Sequence, residues 1–149
     1  MITQDIINNN IIHIYYDNEY KVANLKLDEN KRYIKSFTDI GLDITIIEIL
    51  EEDNISKDNF LCFELETMKN RLINNKIYIF QYVKGKELKN VKGEIKEINK
   101  YEFTHSASIE FGSQGSPIFL ENSINVIGIH KDSNKDKREN YGYFILFIL

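Results

Sequence analysis

The chain has 149 residues, a net charge of −4 and an isoelectric point near 5.4, with 42% hydrophobic and 12% aromatic residues. That length suits one domain or two small ones, with a core burying roughly 68–70% of the surface that the unfolded chain exposes. The acidic balance excludes a general nucleic-acid binder, and the single cysteine, Cys62, excludes a disulfide framework.

Met1 to Asn10 has neither a basic stretch nor a long apolar core, so it does not read as a secretory signal. Ile11 to Tyr16 is an apolar, β-branched and aromatic run that predicts a strand. Tyr20 to Leu27 alternates, with Val22, Leu25 and Leu27 apolar, and predicts a second. Asp43 to Leu50 is almost continuously apolar and reads as a buried strand, and Glu51 to Asp58 reads as a polar loop. Met68, Leu72 and Ile73 are at helical spacing and predict a short helix over Thr67 to Asn74.

From residue 76 the strand signals become regular. They cover Lys76 to Val83, Lys89 to Ile98, Lys100 to Ser108, Ser116 to Leu120, Ile124 to His130 and Tyr141 to Ile148. Lys84-Gly85-Lys86 and Glu121-Asn122-Ser123 read as turns, and residues 131–140 as a polar loop. Strands repeating at about 8–12 residues suggest a closed barrel or a sandwich. The basic run Lys131 to Arg138 is interrupted by Asp132 and Asp136 and reads as a solvated loop. The final apolar run, Phe144 to Leu149, is far short of the ~20 residues that a membrane span needs. A cytosolic, reducing compartment is the expectation. His13, His105, His130 and Cys62 lack zinc-site spacing, and Gly112-x-x-Gly115 lacks the Lys-Ser/Thr of a phosphate loop. No metal or cofactor is therefore expected.

Residues 112–117 read Gly-Ser-Gln-Gly-Ser-Pro, followed by Ile118-Phe119-Leu120, a turn, and Val126-Ile127-Gly128-Ile129-His130. This resembles the nucleophile loop of the trypsin-like serine proteases, especially their bacterial and intracellular, glutamyl-endopeptidase-like branch. Three upstream segments agree. Leu42 to Ile47 resembles the segment carrying the catalytic aspartate, and Gly93-Glu94-Ile95 a later strand. Ile79 to Lys84 resembles a strand ending in Gly-Tyr-Pro, with Gln81 and Val83 in the glycine and proline positions. The resemblance spans roughly residues 11–149. It implies an all-β, trypsin-like double β-barrel: residues 76–149 form a complete six-stranded barrel, and residues 1–65 an incomplete one.

For the site, the resemblance implies Asp43 as the triad aspartate and Gln114 at the nucleophile position. The backbone N–H groups of Gly112 and Gln114 would be the oxyanion donors. His130 would stand in the wall of the specificity pocket, where a histidine helps bind a substrate carboxylate. A side-chain amide has a delocalised lone pair and only hydrogen-bonds, so Gln114 cannot serve as an acyl nucleophile. The segment that carries the family's histidine is matched only faintly by Met1 to Ile7, with Asp5 near the histidine position; His13 lies too far into the next strand. His105 and Ser106 precede the loop and could line the same cleft, without an assigned role.

The expectation is a non-catalytic protease homologue with a residual groove for a peptide or protein, and no nucleic-acid or membrane partner. The open edges of an incomplete first barrel could also accept a strand from a partner. Two alternatives stand beside it. One is a working serine endopeptidase using Ser113 or Ser116. The other is an unrelated all-β binding module, in which residues 10–50 pair into the same barrel as 76–149.

Overall fold

β-Branched and aromatic residues at alternate positions favour extended chain, because one row of side chains packs inward while the other faces out. In the computed structural model, which describes residues 11–16, 21–37, 42–64, 71–83, 87–134 and 139–148, nearly all regular structure follows that rule. The chain divides into two compact units, Met1–Phe60 and Leu61–Leu149.

In the first unit β1 (Ile11–Tyr16) and β2 (Lys21–Lys26) form an antiparallel hairpin, with Ile11 opposite Lys26 and Tyr16 opposite Lys21. Ala23, Leu25 and Leu27 are buried while Val22, Asn24 and Lys26 face out. A second antiparallel pair joins β3 (Ile34–Ser36) to β4 (Thr45–Ile47). β4 is shorter and less buried than the apolar run Asp43 to Leu50 suggests. The reason is a buried ion pair that claims the backbone on its C-terminal side. Arg32 and Asp53 form a two-pronged pair at 2.8 and 2.9 Å. Arg32 Nη1 also donates to the Glu48 carbonyl (2.6 Å), and Asp53 accepts from the Leu50 N–H (2.7 Å). The chain is thereby turned into a 3-10 turn at Glu51–Asp53 instead of running on as a strand. Among the described residues this unit consists of two separate two-stranded sheets rather than a closed barrel.

The second unit is a closed six-stranded antiparallel barrel. Its strands are β5 (Lys76–Val83), β6 (Glu87–Ile98), β7 (Glu102–His105), β8 (Pro117–Leu120), β9 (Val126–Asn134) and β10 (Glu139–Phe144). They close in the order β10-β7-β6-β5-β8-β9. Ile77, Ile79, Ile95, Phe103, Ile118, Ile127 and Phe144 fill the interior, each contributing roughly 1.5–3 kcal/mol by leaving water. Residues 61–64 run beside the start of β9: the Glu64 N–H donates to the Val126 carbonyl and the Val126 N–H to the Cys62 carbonyl.

Among the described residues the barrel closes from β5 to β10 alone and β1 to β4 pair only among themselves, which departs from a single barrel shared by residues 10–50 and 76–149. β9 continues through Asn134, past the polar boundary at residue 131, because backbone pairing with β10 is indifferent to exposed polar side chains. β10 ends at Phe144 and gives way to a 3-10 turn at Ile145–Phe147. Of the helix expected over Thr67 to Asn74, residues 67–70 lie outside the described residues and residues 71–74 form a turn, with Asn74 in a left-handed conformation; the turn at 84–86 lies wholly outside them.

Candidate functional site

The loop from β7 to β8 carries the Gly-Ser-Gln-Gly-Ser-Pro run. Its approach is set by Gly93 on β6. A Cβ there would stand 2.3 Å from the Ala107 backbone nitrogen, so only glycine lets residues 106–108 lie against the strand. Two bonds lock that contact: the Ser106 N–H to the Glu94 carbonyl (3.1 Å), and the Glu94 N–H to Ser106 Oγ (3.1 Å).

At the crest, Gly112 (φ 90°) and Gly115 (φ 85°) take left-handed conformations that glycine adopts without strain. Gln114, between them, is exposed. Among the described residues, neither the Gly112 nor the Gln114 N–H donates to another group. The C-terminal side of the loop is pinned to β9: Gly115 N–H donates to the His130 carbonyl and His130 N–H to the Ser116 carbonyl, both at 2.8 Å.

The other side rests on Gln81, which sequence reasoning saw only as a departure from glycine. Gln81 points into the barrel and is fully buried. Its Oε1 accepts from Ser113 Oγ (2.5 Å) and from the Glu110 N–H (3.1 Å), and its Nε2 donates to the Ser108 carbonyl (3.3 Å). Ser113 is only 1% exposed, and its one hydroxyl proton is shared between Gln81 and the Glu110 carbonyl at 2.7 Å. The signal that could have found this strut is a glutamine at an inward position of an otherwise apolar strand, since a buried amide needs polar partners.

Beside the crest lies a cleft of about 630 Å³. Gln114 and His130 both line it, with Ser106, Asp132, Glu139 and Asn140 among the polar groups of its wall. His130, on β9, is 2% exposed, and its Nδ1 is buried without a partner. Burial pushes its pKa down, opposed by the Tyr141 backbone and by the charge of Asp132. His105 packs edge-on against it, with ring centroids 5.5 Å apart. Both nitrogens of His105 are buried without a partner, and burial, with the neighbouring His130, lowers its pKa to about 3. Both imidazoles are thus held neutral. Of the two residues noted before the loop, Ser106 lines the cleft, whereas His105 packs inside the barrel.

Asp43 lies in the first unit, exposed just ahead of β4. His13, in the β1–β2 hairpin, bonds Asn24. Among the described residues no histidine ring is hydrogen-bonded to a serine hydroxyl, and no group of three metal-ligating side chains comes together. No helix among them is long and apolar enough to cross a membrane.

The fold and site thus define an all-β protein with a closed six-stranded antiparallel barrel and a glycine-framed loop between β7 and β8. Among solved structures the chain is similar to the inactive form of Rv3671c protease, with a TM-score of 0.61 and 17% identity over 91% of this chain and 67% of that one. It is also similar to the inactive form of a serine-to-alanine mutant of Rv3671c from M. tuberculosis H37Rv (TM-score 0.54, 17% identity, 87% of this chain and 67% of that one). No protein-family model and no curated protein matches the sequence. The likeness to a protease of this architecture agrees with the trypsin-like fold implied by residues 112–130.

Proposed function

We propose that this chain is a non-catalytic homologue of the trypsin-like serine proteases, retaining a groove that binds an extended peptide or protein segment. The observation that carries this reading is the crest of the loop. Where a nucleophile would stand, Gln114 is exposed between two left-handed glycines, and among the described residues its own N–H and that of Gly112 are unclaimed. Such donors suit a peptide carbonyl without any chemistry at residue 114. The neighbouring serines offer no substitute. Ser113 is buried and shares its proton between Gln81 and Glu110, while Ser116 sits half-buried in the bonding to β9. On this reading Asp43 stands in place of the triad aspartate, and among the described residues no histidine is hydrogen-bonded to it. A reducing compartment suits the exposed, unpaired Cys62. A second docking mode, strand addition, is favoured by the two-stranded sheets of the first unit.

Labelling with a serine-directed fluorophosphonate tests the loss of catalysis, on the wild type beside Gln114→Ser. Neither protein is expected to react. Reaction of the variant alone would place a functional base near the loop and attribute the silence to Gln114. Reaction of the wild type would overturn the reading, and the labelled peptide would identify the serine.

A further inference from the structure

The β1–β2 hairpin carries an open edge. β1 pairs with β2 on one side, and among the described residues no backbone group of Ile11–Tyr16 bonds anything on the other. A two-stranded sheet is marginal alone and gains from a further strand. Edge strands are ordinarily blunted against other chains by charge, by proline or by shortness. β1 has none of these devices: its six residues, Ile-Ile-His-Ile-Tyr-Tyr, include no lysine, arginine, carboxylate or proline. The other strands of this unit differ. β2 has a lysine at each end, and its Lys26 carbonyl accepts from Arg32 Nε at 2.8 Å. β3 and β4 have three residues each.

The side chains supply a second observation. On one face of the hairpin, Ala23 and Leu25 of β2 are 4% and 1% exposed, whereas Ile14 and Ile12, directly opposite them on β1, are only half-buried. The covered apolar row thus fades at the open edge. On the other face Ile11 and Tyr15 are 47% and 64% exposed, and His13 between them is bonded to Asn24 within the hairpin.

We infer that the β1 edge joins a second copy of this chain, β1 against β1 in antiparallel pairing about a two-fold axis at His13, giving one four-stranded sheet in the order β2-β1-β1-β2. Only an extended strand can satisfy a row of backbone donors and acceptors. β1 is its own complement, because a strand without lysine, arginine or carboxylate meets itself without like-charge repulsion and a two-fold interface uses the same patch twice. Opposite residues of an antiparallel pair share a face. Ile12 therefore meets Ile14 of the second copy and completes the half-covered row, while Ile11 meets Tyr15 of the second copy on the exposed face. The inference rests on the strand-addition reading above, names its edge and its occupant, and is independent of the cleft beside Gln114. A pairing this short buries less than the ~1,200 Å² of a standard interface, so the dimer is weak, half-formed at a concentration on the order of 100 μM.

Sedimentation velocity of the full chain from about 5 to about 500 μM is the test, and a reversible monomer–dimer equilibrium is the expected result. His13→Lys places two lysines opposite each other and should weaken the dimer at least about tenfold. Val22→Lys, on the exposed face of β2 and one strand away from the edge, should change it by less than about twofold. Should His13→Lys unfold the hairpin, crosslinking decides: in a Cys62→Ser background, His13→Cys should join to itself through a short bismaleimide and Val22→Cys should not. A dimer indifferent to His13→Lys, or equal crosslinking at both positions, would overturn the inference. A third arm adds an acetylated peptide amide of residues 11–16 with two lysines appended for solubility. A chain that stays monomeric yet binds this peptide would sink the second copy as occupant and leave strand addition standing. A chain that stays monomeric and ignores the peptide would sink both.

Discussion

Replacing Gln81 by leucine tests whether the loop's shape is built from below. Leucine matches the volume and suits an inward position of β5, so the change adds no overpacking; it deletes three hydrogen bonds. The Ser113 hydroxyl keeps the Glu110 carbonyl as an acceptor, but the Glu110 N–H and the Ser108 carbonyl are left without their partner. An orphaned buried polar group costs about 1–3 kcal/mol, and water at the exposed edge of residues 108–110 offsets part of that. The expected loss is about 3 kcal/mol, which lowers the melting temperature by roughly 10–20 °C for a unit of this size. Ser113→Ala should cost about 1 kcal/mol, because Gln81 Oε1 retains the Glu110 N–H. The double variant should cost less than the sum of the two, since the residues share a bond. Urea unfolding at constant slope is the assay. If Gln81→Leu falls within 0.5 kcal/mol of wild type, about the size of an ordinary surface change, the buried amide does not hold the loop and the reasoning fails.

Two other effects should be measurable. Asp53→Ala leaves the Arg32 guanidinium buried beside two carbonyls and should destabilise the first unit by about 3 kcal/mol, seen as faster amide exchange across β2 to β4; unchanged exchange would refute the role of the pair. The Arg32 guanidinium holds the Asp53 carboxyl below its usual range, so this contribution is full above a pH of about 4 and is lost as the pH falls further. His105 acts with the same sign through the unfolded state. Its folded pKa of about 3 lies below the unfolded value of about 6.5, so the unfolded chain alone takes up a proton between them. Stability should fall by about 2 kcal/mol from pH 7 to pH 5, and His105→Phe should flatten that slope. A wild-type unfolding midpoint equal at both pH values would contradict the neutral, unpartnered imidazole.

The barrel was legible in the sequence because its strands carry a clear alternation and end at turn residues. Lys76 to Val83 is an example, its isoleucines inward and its tyrosines outward. The hairpin of β1 and β2 was legible for the same reason. β3 was not, because a three-residue strand has no period to detect. β4 misled, because apolar composition does not reveal that Arg32 and Asp53 capture the backbone just beyond it. At the site, glycine chemistry marked the crest, whereas the bonds of Gln81 and the meeting of Asp132 and Glu139 at one cleft arise from strand register, which brings separated residues to one place. The pairing of His105 with His130 has the same origin.

The struts under the loop have a consequence for how such a chain can change over time. Its conformation is secured by Gln81 and Ser113 beneath and by the bonding of Gly115 and Ser116 to β9; none of these contacts uses the side chain at position 114. That position is free of any folding constraint. A residue could be exchanged there without a penalty that selection for stability would detect. The same independence makes position 114 a ready site for introducing a reporter or a reactive group, and means that thermal melting alone does not report which residue stands there.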